Sequence, residues 1–160
     1  MTVTNVQKDS AALTMTLTAR FDAPIGRVWE LWRDPRLLER WWGPPTYPAT
    51  VVDHDLSPGG RVSYFMTGPE GDQPHGWWRV IAVDAPHRLE FEDGFADETG
   101  APNLDMPTMN IGVSLSEESP GTTRMEVVTT FSSLDEMEKI IAMGMEEGIK
   151  AAMSQIDGIL

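Results

Sequence analysis

The sequence predicts an α+β domain in which a curved, seven-stranded antiparallel sheet wraps a long C-terminal helix. Three observations carry that expectation. A pair of short helices with their own start and stop signals sits early, in residues 21–45. Alternating apolar segments separated by turn residues fill most of the stretch 50–131. From Ser133 the apolar residues change to a helical period and keep it to the end.

The elements are taken in chain order. Residues 1–11 are polar and read as a loose N-terminal tail. Leu13, Met15, Leu17, Ala19 and Phe21 alternate with Thr14, Thr16, Thr18 and Arg20, the pattern of a strand with one buried face. Pro24 suits a first helical turn, and Ile25, Val28, Trp29 and Trp32 share one helical face. Asp34 is a natural N-cap, with Pro35 behind it, and Leu37, Leu38 and Trp41 supply the next apolar face. Gly43 is suited to a left-handed helix end, and Pro44 with Pro45 stops the helix.

Strands are expected at residues 50–56, 61–67, 76–83, 88–92, 108–115 and 123–131, with Gly- and Pro-rich turns between them. Residues 93–107 show no period and read as a loop. Ser133 with Glu136 reads as a capping box opening the final helix, whose apolar face carries Ile141, Met145, Ile149, Ala152, Ile156 and Ile159. The chain of 160 residues is a single domain, without repeats or low-complexity tracts.

Composition excludes several function classes. The absence of cysteine removes disulfides and thiolate chemistry and suits a reducing compartment. The formal net charge of −13 argues against nucleic acid and anionic membrane surfaces as partners. No apolar run reaches membrane-spanning length, and the polar N-terminus lacks a signal-peptide core, so the expected location is the cytoplasm.

A curved sheet wrapped on one helix leaves a space between them, a usual place for a small-molecule pocket. The pleat directs inward Val52, His54 and Leu56; Val62, Tyr64 and Met66; Trp78, Val80 and Ala82; Leu89 and Phe91. Met109, Ile111, Val113 and Leu115 continue the set, then Met125, Val127, Thr129 and Phe131, with Met145, Gly148, Ile149 and Ala152 from the helix. Most of these are core by default. Met66, Met109, Met125 and Met145 tilt the set toward a cavity, because methionine adapts to irregular ligand shapes. Gly144 and Gly148 each cost the helix about 1 kcal/mol relative to alanine. Close packing on the sheet or room for a ligand would offset that cost. Trp41 and Trp42 are placed at the cavity mouth, where an indole can stack on a planar ligand.

Catalytic motifs are sparse. His54, beside Tyr64, is the candidate polar handle or acid/base group. His75 and His87 share no metal-binding spacing with it, and no metal or cofactor is expected. There is no G-x-S-x-G elbow, and the glycine clusters have neither nucleotide-binding spacing.

Several motifs follow one another along the chain: the opening segment FDAP…VWELWRDPRLLERWWGPP, DLSPGGR at 55–61, His75-Gly76, DAPHRL at 84–89, GTTRM at 121–125 and GMEEG at 144–148. In that order they resemble the AHSA-type domain, the group named after the C-terminal domain of the activator of the heat-shock-protein-90 ATPase. The resemblance implies membership of the START-like (SRPBCC) superfamily, with its helix-grip fold and a hydrophobic cavity between sheet and helix. Superfamily members include lipid carriers, polyketide cyclases and antibiotic-sequestering proteins. One departure stands out: Ile149 occupies a position where the family often has tryptophan.

The leading expectation is a binding protein for a small apolar or aromatic molecule. Its cavity would be lined by His54, Tyr64, Met66, Trp78, Val80, Phe91, Met109, Ile111, Met125, Val127, Met145 and Ile149. The alternatives are an enzyme of cyclase or hydrolase type using His54 or Tyr64, and a chaperone-associated interaction module using the acidic surface or the loop near residues 97–105. Exposed tryptophans and Met143 would suit a homodimer contact.

Overall fold

A computed structural model describes residues 3–160. Eight strands form one antiparallel sheet in the order β1-β2-β8-β7-β6-β5-β4-β3. They are β1 (Val3–Asp9), β2 (Thr14–Phe21), β3 (Ala49–His54), β4 (Arg61–Met66), β5 (His75–Asp84), β6 (Arg88–Ala96), β7 (Met109–Ser119) and β8 (Thr122–Thr130). Strands β3 to β8 run as a meander, each pairing with the next. β8 closes onto β2, so the helical connection after β2 must carry the chain to the far edge of the sheet.

Two short helices make that crossing: α1 (Ile25–Arg33) and α2 (Pro35–Leu38). Pro24 is the N-cap of α1 rather than its first helical residue. Asp34 caps α2 by accepting the backbone N–H of Arg36 at 2.9 Å, and Pro35 comes next at the first helical position. α1 buries Val28, Trp29, Leu31 and Trp32. Gly43 departs from expectation. Its φ is not positive. The residue is required there because an added Cβ would lie 2.1 Å from the Tyr47 carbonyl oxygen.

Residues expected as a loose tail instead contain β1, paired along β2 from Val3↔Ala19 to Asp9↔Thr14. The second face of β2 is threonine-rich, and such a strand can take a partner whose own sequence carries little apolar signal. Lys8 of β1 reaches Glu146 at 2.6 Å, tying this edge strand to the helical layer.

The C-terminal helix is two segments, α3 (Leu134–Ala142) and α4 (Met145–Met153), then a 3₁₀ turn at Ile156–Gly158. Gly144 breaks it with φ 93°, a left-handed conformation that glycine alone adopts without penalty. Ser133 caps α3 by accepting the Glu136 N–H at 3.1 Å, whereas the Glu136 carboxylate turns to Ser132 instead of completing the capping box.

The break divides the core. Leu17, Phe21, Trp32, Trp41, Trp78, Phe91, Met125, Met153 and Ile156 belong to the main cluster. Met15, Met109, Phe131, Met137 and Ile140 form a second one, to which α3 contributes. Gln155 donates to the Gly43 carbonyl at 2.7 Å and ties the end of α4 to the helix pair.

Candidate functional site

A cavity of about 250 Å³ lies between α4 and the sheet. Met145, Gly148, Ile149 and Ala152 come from α4; Tyr64, Met66, Asp93, Met109 and Ile111 from the sheet; Trp41, Trp42 and Pro44 from the end of the helix pair. A smaller space of about 100 Å³ shares Tyr64, Met66, Asp93 and Met109 and extends to His75, Gly76, Gly94 and Phe95.

Local sequence explains why the space exists. The small residues Gly148 and Ala152 stand one turn apart on the lining face of α4. A Cβ built on Gly148 meets nothing within 4 Å, so this glycine leaves room instead of admitting a close neighbour. Met66, Met145 and Ile149 are half-buried, as residues bordering an open space should be.

The polar floor is the pair Tyr64 and Asp93. Tyr64 lies opposite Gly76 on β5, and Asp93 of β6 lies opposite Trp78. A Cβ at Gly76 would fall 2.3 Å from the Tyr64 hydroxyl. Glycine on the intervening strand therefore lets the phenol of β4 pass over β5 and donate to Asp93 Oδ1 at 3.3 Å. Asp93 is only 8 % exposed. Burial pushes its carboxyl up to about 7, against the opposing pull of hydrogen bonds from the Tyr64 hydroxyl and the Gly94 backbone. Burial, and then the neighbouring Asp93 charge, hold the Tyr64 phenol well above its ordinary range. At neutral pH the floor thus holds a neutral phenol and a carboxyl near its midpoint.

Two further donors stand by. Trp42 and Trp78 each have a buried indole Nε1–H without a hydrogen-bond partner. Buried polar groups are normally paired, so these two call for an explanation. Trp42 lies edge-on to Tyr64 and to Trp78, with ring centroids 6.1 and 4.9 Å away.

The residues expected to line the cavity divide into two groups. Tyr64, Met66, Met109, Ile111, Met145 and Ile149 converge on it, and Trp41 and Trp42 stand in its wall. Trp78, Val80, Phe91, Met125 and Val127 are packed in the main core instead. Trp78 stacks on Phe91 with centroids 3.9 Å apart, leaving no space between them.

His54 is not a handle of this cavity. It sits at the end of β3, where its Nε2 donates to the Trp32 carbonyl at 2.9 Å, so it does not converge with Tyr64. The register shift between Val51 and Asp53 pairs His54 with Val62, on the same face as Tyr64, but its ring is held by the Trp32 carbonyl of α1 and does not reach the cavity lining.

Asp93 is the residue that sequence reading missed. The stretch 93–107 lacks a period and reads as a loop, but β6 runs on to Ala96. The available signal was the alternation Leu89, Phe91, Asp93, Phe95, in which Asp93 takes an inward step of the pleat between two phenylalanines. Beyond it, Asp97 draws the backbone together by accepting the N–H groups of Thr99 and Ala101.

A larger cleft of about 430 Å³ opens between β3, β4, β5 and residues 98–101. Several of its polar groups are already engaged. Ser63 donates to Asp53 at 2.7 Å, Arg61 donates to the Gly100 carbonyl, and His75 Nδ1 donates to the Gln73 carbonyl at 2.8 Å. Among the described residues no three His, Cys, Asp or Glu side chains are grouped to hold a metal ion, and no helix is long and apolar enough to cross a membrane. The tryptophans expected at the surface are buried or half-buried, while Met143 is exposed.

Comparison with known proteins agrees with this architecture. The protein Ms6760 from Mycobacterium smegmatis is 49% identical in crystal structure, covering 99% of this chain and 96% of that one, with a TM-score of 0.90. A protein from Arthrobacter aurescens, solved by NMR, is also 49% identical, covering 98% of this chain and 90% of its own, with a TM-score of 0.93. An AHSA1 protein from Silicibacter pomeroyi shares the fold at 19% identity and a TM-score of 0.72, over 91% of this chain and 95% of that one. No curated protein matches the sequence. The profile described as Activator of Hsp90 ATPase homolog 1-like protein matches residues 22–160, and the chain belongs to that family.

Proposed function

We propose that the protein binds a small hydrophobic or aromatic molecule in the cavity between α4 and the sheet. The observation that carries this reading is the composition of that space. Met66, Met109, Met145, Ile111 and Ile149 supply deformable apolar walls, Trp42 supplies a ring, and one buried polar pair, Tyr64 and Asp93, supplies orientation. Concave apolar walls with few polar groups are the usual make-up of a small-molecule site. At about 250 Å³ the space suits a molecule of one or two fused rings better than a long-chain lipid.

Thermal shift and isothermal titration with naphthalene, indole, flavonoid and fatty-acid panels test the proposal. Stabilisation by aromatic members, lost on filling the cavity with Gly148→Leu, is the expected result. No response to any apolar class would overturn it.

An enzymatic reading through a His54–Tyr64 pair lacks geometric support, because the two side chains bond to different partners. A chaperone-associated role draws support from the family name alone and is tested by pull-down with the bacterial heat-shock-protein-90 homologue. A cytoplasmic location belongs to the same proposal.

A further inference from the structure

We propose that the cavity selects neutral hydroxyl-bearing aromatic molecules, holding the hydroxyl between Trp42 and Asp93, and rejects carboxylates. The inference rests on the ligand-binding reading above and adds the chemical class of the ligand.

The polar groups of the cavity are few. Among the residues lining it, Asp93 is the only one that can carry charge at neutral pH; no lysine or arginine lines it. A ligand carboxylate buried there would meet another carboxyl group with no cation to neutralise either, and buried unpaired charge is strongly disfavoured. The same absence disfavours fatty acids entering head first.

A neutral hydroxyl meets the opposite situation. The Trp42 Nε1–H is buried, belongs to a residue lining the cavity, and has no acceptor. Asp93 accepts from Tyr64 through a long contact of 3.3 Å, and an ionised carboxylate offers about four acceptor sites, so capacity remains for a ligand hydroxyl. A phenolic or alcoholic oxygen accepts one hydrogen bond while donating another. One such group would satisfy the orphaned indole and complete the Asp93 carboxyl together. Trp42 stands edge-on to Tyr64 with ring centroids 6.1 Å apart, and the Tyr64 hydroxyl bonds Asp93, so a group bound beside that hydroxyl is near both. An ether can only accept, and a hydrocarbon can do neither. A site built to hydrogen-bond a hydroxyl discriminates strongly against analogues that lack it, since its own buried groups are then left unpaired.

The test uses the full chain and four probes of nearly equal shape: 2-naphthol, 2-methoxynaphthalene, 2-methylnaphthalene and 2-naphthoate, by isothermal titration at about pH 8, where Asp93 is ionised and accepts while 2-naphthol keeps its proton. The expected result is that 2-naphthol binds at least about 10-fold more tightly than each of the others. Asp93→Leu should lower 2-naphthol to the affinity of 2-methoxynaphthalene. Trp42→Phe, which keeps the ring and removes the N–H, should narrow the preference. Equal affinity for 2-naphthol and 2-methoxynaphthalene, tight binding of 2-naphthoate, or a preference that persists in folded Asp93→Leu overturns the inference. Any of these leaves the cavity reading standing. No binding of any of the four probes overturns both. The series on the unsubstituted protein decides the question even if Asp93→Leu fails to fold.

Discussion

The Tyr64 hydroxyl of β4 donates to Asp93 Oδ1 of β6 at 3.3 Å, reaching across β5 above Gly76. This contact places a carboxyl group inside an otherwise apolar space. Tyr64 is the titratable group that faces Asp93 from β4, and His75 of β5 borders the same smaller space.

Asp93 should make the protein less stable as pH rises from about 4 to about 7. Its folded-state pKa is raised from 3.8 to about 7, so the folded state holds the proton more tightly than the unfolded chain. The stability tied to that proton is full below the unfolded value and is lost as pH rises through the folded one. By linkage the span amounts to at most about 4 kcal/mol. Asp93→Asn removes the titration. Urea unfolding at a series of pH values should show a flatter profile for the variant, with a gain over the native protein at pH 8 that vanishes near pH 4. Parallel profiles would show that Asp93 titrates normally.

Gly76→Ala should destabilise the protein by about 1–3 kcal/mol, although alanine is the better residue for most backbones. Its Cβ would lie 2.3 Å from the Tyr64 hydroxyl, and the buried ring has to move. The move breaks the bond to Asp93. Denaturant unfolding gives the stability change, and a shift in the tyrosine absorbance titration would locate it at Tyr64. A neutral substitution would mean that Tyr64 is not fixed over Gly76.

Gly148→Ala should stabilise the protein by about 0.5–1 kcal/mol, since it replaces an interior helical glycine and its new methyl meets nothing within 4 Å. Gly148→Leu projects into the same space and should abolish binding of any cavity ligand while the fold persists. Thermal melting separates the two effects. Loss of stability in Gly148→Ala would show that the space is filled.

Gln155→Ala should cost about 1–2 kcal/mol, because it removes a 2.7 Å hydrogen bond that holds the Gly43 carbonyl. Gly43 ends the segment carrying Trp41 and Trp42, so the variant should also raise hydrogen exchange in residues 41–43. Unchanged exchange there would show that α4 and the helix pair are not coupled through Gln155.

Much of the fold is written in local pattern. The Asp34-Pro35 cap, the alternation in β2 and the helical period after Ser133 each arise from interactions within a few residues. Composition and spacing expose such signals directly. The convergence of Tyr64, Met66, Met109, Met145 and Ile149 was also legible, because pleat and helical period each assign a face. The breaks in period were not. The register shift before His54 depends on pairing with β4, and the break at Gly144 is masked because the apolar period runs on through it from Ile141 to Met145 and Ile149.

The sequence by itself determined the order of elements, the wrapping of a sheet on C-terminal helices and the apolar character of the enclosed space. Backbone preference and the burial of patterned apolar faces suffice for these. Only the tertiary structure decided which apolar residues border a cavity and which fill the core, as Met145 and Met125 illustrate. It also decided that Asp93, a polar residue between Phe91 and Phe95 in the alternation of its strand, is the one buried carboxyl among the described residues. That outcome requires β4, β5 and β6 in one register, with a glycine on the middle strand so that Tyr64 can reach across. No local signal encodes a contact between residues on strands that are not neighbours.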